Sequence, residues 1–255
     1  MSATISVAAM RALEARVMAS GAVTGAALME RAGAGVVAAI RARWPEVAPL
    51  ASADHVPASM VSGQDAETGA PVRAVVLCGP GNNGGDGFVV ARLLAGSGWR
   101  VEVFFLGEAD RLPPDARTNH DLWCKIGPVA RLSLPVPTGA EIADLCRAAS
   151  PGQGTPLVLI DALFGIGLTR PLAGLEGLTR HWAGVDPGAG CLRVAVDLPS
   201  GLDGDTGDVV GGAGGGILPA DLTVTFHAMK PGHRYGRKSH ACGEVVVVDI
   251  GLPDA

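Results

Sequence analysis

Apolar residues recur at two spacings along this chain, and the change from one to the other divides it. Up to about residue 45 the spacing is helical. Met10, Leu13, Val17 and Met18 predict an amphipathic first helix. Leu28, Met29, Val36, Val37 and Ile40 predict a second over Thr24–Trp44, which Pro45 ends. Residues 47–70 are rich in Ala, Ser, Pro and Gly and read as a surface loop or insertion. From Arg73 onward the apolar residues come in short runs. Arg73–Cys78, Val101–Leu106, Leu157–Asp161, Leu192–Asp197, Leu222–Phe226 and Glu244–Ile250 are the expected strands, with a weaker one near Ala130–Leu134. Most are continuously Val/Leu/Ile-rich instead of alternating, as strands buried on both faces of a parallel sheet must be. Gly87–Gly96 and Gly139–Ala149 read as helices between them. The expectation is one α/β domain with a mostly parallel, doubly wound sheet over about residues 71–255 and a helical N-terminal extension over about 1–46.

Composition narrows the class. The chain has 255 residues, 48% hydrophobic and 18% charged, which suits a globular core. A formal charge of −5 with no Lys/Arg cluster argues against a nucleic-acid surface. Aromatics at 4% argue against an aromatic cage. No apolar run reaches the roughly 18 residues of a membrane span. Arg11, Glu14 and Arg16 interrupt the N-terminus before any signal-peptide core. Cys78, Cys124, Cys146, Cys191 and Cys242 are odd in number and lack C-x-x-C spacing. They read as reduced structural thiols, which points to a cytoplasmic protein.

The chemistry should lie beyond the carboxyl ends of the strands. There the sequence delivers "CGPGNNGGDG" after the first strand, Asp161 with Gly165 and Gly167, and Asp197 with Ser200 and Gly201. Gly79, Gly81 and Gly84 satisfy G-x-G-x-x-G, and Glu108 lies near the 20-residue offset of a ribose-binding acid, so a dehydrogenase stays open. Asn82, Asn83 and Asp86 suit a hard cation or a hydroxyl-rich ligand better than a pyrophosphate. Asp86 is expected in the first helical turn, where the dipole favours it. Asp161 alone could be a turn former, and Asp203 and Asp205 read as solvated turn residues. Lys230 reads as a surface lysine more readily than as a site residue. Gly211–Gly216 ("GGAGGG") reads as a flexible loop.

Six ordered stretches carry a resemblance. They are "LMERAG" (Leu28–Gly33), "GPGNNGGDGFVVARLL" (Gly79–Leu94), "DALFGIGLTRPLAG" (Asp161–Gly174), "VDLPSGLDGDTG" (Val196–Gly207), "ADLTVTFHAMKPG" (Ala220–Gly232) and "GEVVVVDIGLP" (Gly243–Pro253). Together they resemble the NAD(P)H-hydrate epimerase family, also found as the N-terminal domain of bifunctional nicotinamide-nucleotide repair enzymes. The resemblance implies a Rossmann-like three-layer α/β/α sandwich. It implies NADHX or NADPHX, hydrated at C6 of the nicotinamide ring, as substrate, and interconversion of the R and S epimers. A potassium ion is implied on Asn83, Asp161 and Ser200. Substrate contacts are implied at Asn82, Asn83, Gly84, Gly85, Asp86, Gly165, Ile166, Gly167, Leu168, Thr169, Arg170, Pro171 and Asp197. A homodimer, and a fused or separate NAD(P)H-hydrate dehydratase as partner, are implied as well.

The C6 chemistry needs an acid/base beside the hydroxyl, and Asp197 is the expected catalytic residue because Asp161 would be engaged by the cation. A side chain at Gly84 or Gly85 is expected to meet the ligand and spare the fold, whereas Gly211→Ala should be nearly silent. Arg100 gives slight support to a 2′-phosphate site. The same fold could serve as a binding scaffold, but a scaffold would not need Asp161, Asp197 and the asparagine pair.

Overall fold

The computed structural model describes residues 4–45, 72–132, 156–184 and 191–253. The loop expected over 47–70, the helix expected over 139–149 and Cys146 lie outside the described residues.

Two helices open the chain. Helix α1 (Val7–Ala19) is capped by the Ser6 hydroxyl, which accepts from Ala9 N, and buries Met10, Leu13 and Val17. Helix α2 (Gly25–Arg43) starts at Thr24, whose hydroxyl accepts from Ala27 N. Such caps satisfy amides that the first helical turn leaves unpaired. Then follow β1 (Arg73–Cys78), α3 (Asn82–Gly96), β2 (Arg100–Phe105), α4 (Pro114–Trp123) and β3 (Val129–Arg131). The chain continues through β4 (Leu157–Ala162), α5 (Glu176–Ala183), β5 (Cys191–Val196), β6 (Leu222–Phe226) and β7 (Glu244–Val248).

The seven strands form one sheet in the order β3-β2-β1-β4-β5-β6-β7. Every neighbouring pair is parallel. Successive strand residues point to opposite faces. Ala74, Val76 and Cys78 therefore join α1, α2, α3 and α4 in the larger core. Val75 and Leu77 join Leu172, Leu175, Leu178 and Trp182 on the other side, around α5. Because both faces are covered, the central strands carry apolar residues continuously, as the sequence shows. The edge strand β7 is only partly buried.

The six main expected strands are present within one or two residues; of the weaker one near Ala130–Leu134, β3 covers 130–131, and 133–134 lie outside the described residues. The start of α3 is different: it begins at Asn82, five residues before the expected Gly87, with Gly81 as its N-cap. Asn82–Asp86 is thus helix, not loop. Asp86 lies in the second turn, out of reach of the favourable interaction expected at the first. Helices α4 and α5 were not singled out from the sequence, because both are short and polar on one side.

Strand order reverses between β1 and β4, where one crossover leaves toward β2 and the other toward β5. A crevice opens at such a switch point, outside the carboxyl ends of the strands.

Candidate functional site

The crevice is a cavity of about 500 Å³. The β1–α3 turn lines it with Pro80, Gly81, Asn82, Asn83 and Asp86, and the segment after β4 with Leu163–Leu168. Asp197 follows β5, and Phe226 and Lys230 come from the end of β6 and the loop beyond it. Met10, Arg11 and Glu14 of α1 form the remaining wall.

Asp197 is the most constrained side chain there. Its φ is 66°, a left-handed conformation that a non-glycine residue seldom adopts. Lys230 Nζ donates to its Oδ1 at 2.8 Å and Thr225 Oγ1 donates to the same oxygen at 2.9 Å. Ile166 N donates to Oδ2 at 3.2 Å. Lys230 is 1% exposed and also donates to Thr225 Oγ1 and the Phe226 carbonyl. Burial pushes the Asp197 carboxyl up, but the charge and hydrogen bond of Lys230, with smaller help from His233 and the Thr225 hydroxyl, together hold it below the usual carboxylate range. His233 completes the frame. Its Nδ1 accepts from Lys230 N at 2.9 Å and its Nε2 lies 2.8 Å from the Asp197 carbonyl. That pattern assigns the neutral Nε2–H tautomer, consistent with burial lowering the imidazole pKa.

Asp161, one residue before the end of β4, is fully buried. Its Oδ1 accepts from Ser200 Oγ (2.6 Å) and Leu163 N (3.1 Å), and its Oδ2 from Ser200 N (2.7 Å). It makes no ion pair among the described residues, and burial raises its pKa to about 6. Phe164 N donates to Ser200 Oγ, so β4 and β5 are tied where Asp161 and Ser200 meet. Asn83 Nδ2 is buried without a hydrogen-bond partner. A β-carbon built on Gly165 would stand 2.9 Å from both Asn83 Oδ1 and Asp197 Oδ2. Gly165 is therefore the space through which these two side chains converge.

The sequence model described as YjeF-related protein N-terminus matches residues 25–232. The chain belongs to this family. A curated relative from Rhodobacter capsulatus, NAD(P)H-hydrate epimerase, is 45% identical over 95% of this chain and 96% of its own length. The bifunctional NAD(P)H-hydrate repair enzyme Nnr of Thermofilum pendens is 40% identical over 73% of this chain but only 33% of its own length. The yeast protein ynu0, of known crystal structure, shares the fold with a TM-score of 0.65 at 22% identity, covering 96% of this chain and 87% of that one.

Within this family frame, the structure brings Asn82, Asn83, Asp86, Gly165, Ile166, Gly167, Leu168 and Asp197 to one cavity. Thr169, Arg170 and Pro171 are not among its lining residues. Gly84 and Gly85 are buried and face protein, not the cavity. A β-carbon on Gly84 would lie 1.9 Å from the Gly79 carbonyl, and one on Gly85 would lie 2.6 Å from the Met29 thioether. Their role is close packing of α3, so the expectation that a side chain there would spare the fold is overturned.

Gly211 is also not the silent position expected. Its φ is +87° and a β-carbon would lie 2.3 Å from Pro171. The segment is a defined turn, with Gly212–Gly214 forming a single 3-10 turn. Lys230 is no surface lysine but the ion partner of Asp197. Asp205 does more than solvate a turn: its Oδ1 accepts from Val7 N and helps hold α1. Arg100 opens β2, at the amino end of the strands opposite the cavity, beside Glu102. Glu108 is ion-paired with Arg131 and does not line the cavity, which weakens the dehydrogenase alternative. Sequence reasoning missed Met10, Arg11 and Glu14 as site residues because α1 carries no motif. Only the polar residues on its otherwise apolar inner side hint at a cavity.

Proposed function

We propose that the chain is an NAD(P)H-hydrate epimerase that interconverts the R and S forms of NADHX or NADPHX. The observation that carries this reading is the buried Asp197–Lys230 pair at the head of the cavity, in a chain 45% identical to a curated NAD(P)H-hydrate epimerase. At C6 of the hydrated ring, the ring nitrogen can expel the hydroxyl once it is protonated. The C6–O bond breaks, water departs, and a planar iminium remains. Water then adds to either face and returns a proton. Asp197, ionised and fixed by Lys230, is the base that takes the proton from the returning water. The same carboxylate stabilises the cationic ring electrostatically, and being fixed beforehand it need not reorganise. Neither step changes oxidation state, and atoms balance.

A potassium ion fits beside this centre. Asp161 is a buried carboxylate without a cationic partner, and Asn83 has an unpaired buried amide whose oxygen and nitrogen exchange places on a flip. With Ser200 they form an oxygen-rich set suited to a hard cation. Bound there, the ion would supply positive charge against Asp161 and an anionic substrate. Asn82, Asp86 and Gly165–Leu168 would hold the dinucleotide. Gly84, Gly85, Thr169, Arg170 and Pro171 would support the two segments from behind.

The reading extends to a cytoplasmic enzyme working beside a dehydratase, which in the bifunctional relatives would be the remainder of the chain. No described helix is long and apolar enough to cross a membrane. A homodimer would use the solvent side of α1, where Ala8, Ala12, Ala15 and exposed Met18 lie; sedimentation velocity measures it directly. The decisive assay incubates the protein with R-NADPHX and follows the epimer ratio by chromatography. Conversion toward an R/S mixture without an absorbance change supports epimerisation. An unchanged ratio, or oxidation of NADPH, refutes it.

A further inference from the structure

The epimerase reading leaves one proton unassigned. Asp197 is held ionised by Lys230, so another group must protonate the departing hydroxyl. The candidates facing the cavity are limited. Lys230 has its three donors directed to Asp197, Thr225 and the Phe226 carbonyl. His233 is neutral, and both its ring nitrogens are engaged. The Arg11 guanidinium is engaged in donating to the Ile166 carbonyl. Two carboxyl groups remain, Glu14 on α1 and Asp86 on α3. Each is half-buried at the cavity wall, and neither has a hydrogen bond or ion pair among the described residues.

We propose that Glu14 is a further catalytic residue, the acid that gives its proton to the C6 hydroxyl from the α1 side of the cavity while Asp197 acts as base from the sheet side. This rests on the epimerase reading of the site. Three observations favour Glu14. First, its helix is fixed over the cavity at three points: Ile5 N donates to the Met229 carbonyl, Val7 N to Asp205 and Arg11 to the Ile166 carbonyl. Second, α1 comes from outside the sheet whereas Asp197 stands on it, so the two carboxyls can address a ring lying between them. An epimerase must serve both faces of C6, and a single fixed group serves one. Third, burial raises the Glu14 pKa and the Asp197 carboxylate raises it further, against smaller opposing effects of Lys230 and Arg11. Burial also pushes Asp86 well up, with the charges of Asp197 and Glu14 adding to it. A carboxyl whose surroundings favour its acid form, facing a carboxylate held ionised by a lysine, is the arrangement that acid and base catalysis requires.

The step is balanced. Glu14 transfers a proton to the hydroxyl, the C6–O electron pair leaves with the oxygen as water, and the nitrogen lone pair forms the C=N bond. Water adds to the other face and loses a proton to Asp197. Asp197 then releases this proton to solvent and Glu14 takes one up, which restores the starting state. In the reverse direction the two groups exchange roles.

The test compares wild type with Glu14→Gln on purified R-NADPHX over a range of pH, with the thermal midpoint measured in parallel. Gln keeps the size and packing of the side chain but holds no transferable proton. The expected result is an unchanged midpoint and KM, a kcat lower by about 10²–10⁴, and loss of the alkaline limb of the kcat/KM profile. Full turnover with an unchanged profile overturns the proposal. So does an alkaline limb that survives but moves to lower pH, which assigns the proton to Asp86, relieved of the Glu14 charge. A wild-type protein that leaves the epimer ratio unaltered overturns the epimerase reading and this proposal with it. Epimerisation by wild type and Glu14→Gln alike overturns the Glu14 assignment alone.

Discussion

At the scale of single residues, the site depends on one absence and one buried pair. The absence is the β-carbon of Gly165. Gly165→Ala would place a methyl group 2.9 Å from Asn83 Oδ1 and Asp197 Oδ2 and force both to shift. A displacement of about 1 Å in a catalytic constellation costs on the order of 10²-fold in rate. Gly165→Ala should therefore lose about that much turnover with little change in thermal midpoint, read by the epimer assay beside a melt. The pair is Asp197–Lys230. Removing the lysine leaves a buried carboxylate without its counter-ion, so Lys230→Met should destabilise by about 3–5 kcal/mol at neutral pH. The sign with pH follows from linkage. The Asp197 pKa in the folded protein is depressed, so its contribution is present above the unfolded pKa, about 3.9, and is lost as pH falls through the folded value. In the variant, burial no longer offset by the lysine raises the Asp197 pKa, so the variant regains stability by protonation as pH falls from 7 toward 4; the gap in urea unfolding should narrow over that range, with the wild-type share lost only below it. A gap independent of pH would mean that the pair contributes no charge stabilisation.

At the scale of elements, α3 shows how glycines set a helix close to its neighbours. Gly33 of α2 would meet Val89 of α3 within 2.4 Å if it carried a β-carbon, and Gly85 of α3 would meet Met29 and Ala116. The three helices can pack as closely as they do only because these positions are bare. Overpacking a filled core costs roughly 1–3 kcal/mol or more. Gly85→Val should lose stability by at least that amount, with activity falling because the helix that carries Asn82, Asn83 and Asp86 moves. Gly214→Ala is the proper control. Its φ is not left-handed and a β-carbon meets nothing within 4 Å, so its unfolding free energy should stay within about 0.5 kcal/mol of wild type. Chemical denaturation of the two variants measures the contrast, and equal stability would show that α3 has room that its packing denies.

At the scale of the whole molecule, Asn83, Asp161 and Ser200 follow or end three adjacent central strands, β1, β4 and β5. A cation held by all three would bind only the folded sheet and stabilise it by mass action. Potassium in place of a large organic cation at equal ionic strength should raise the thermal midpoint of wild type, and the rise should be absent in Asp161→Ala. An equal rise in both proteins would place the ion elsewhere. This measurement needs no substrate, so it tests the cation independently of the epimerase reading.

The sequence by itself determined the central strands, because residues buried on two faces must be apolar without interruption, and Ala74–Cys78, Leu157–Ile160 and Val194–Val196 are so. It determined which strand ends hold polar chemistry, because Asn83, Asp161, Asp197 and Ser200 interrupt or follow those runs. It also carried the family, through six ordered stretches. It did not determine where α3 begins. Two asparagines and two glycines read locally as a loop, and only the fit of Gly84 against Gly79 and of Gly85 against Met29 makes helix the better state there. Lys230 became a buried ion partner only through the strand pairing that brings β5 beside β6 and sets Asp197 near it, 33 positions away in sequence. Glu14 entered the site through the docking of α1 on loops near residues 166, 205 and 229. Local pattern reports what a residue does to its own segment. Burial of a charge and the walls of a cavity depend on which distant segments meet, and that is settled by the tertiary packing.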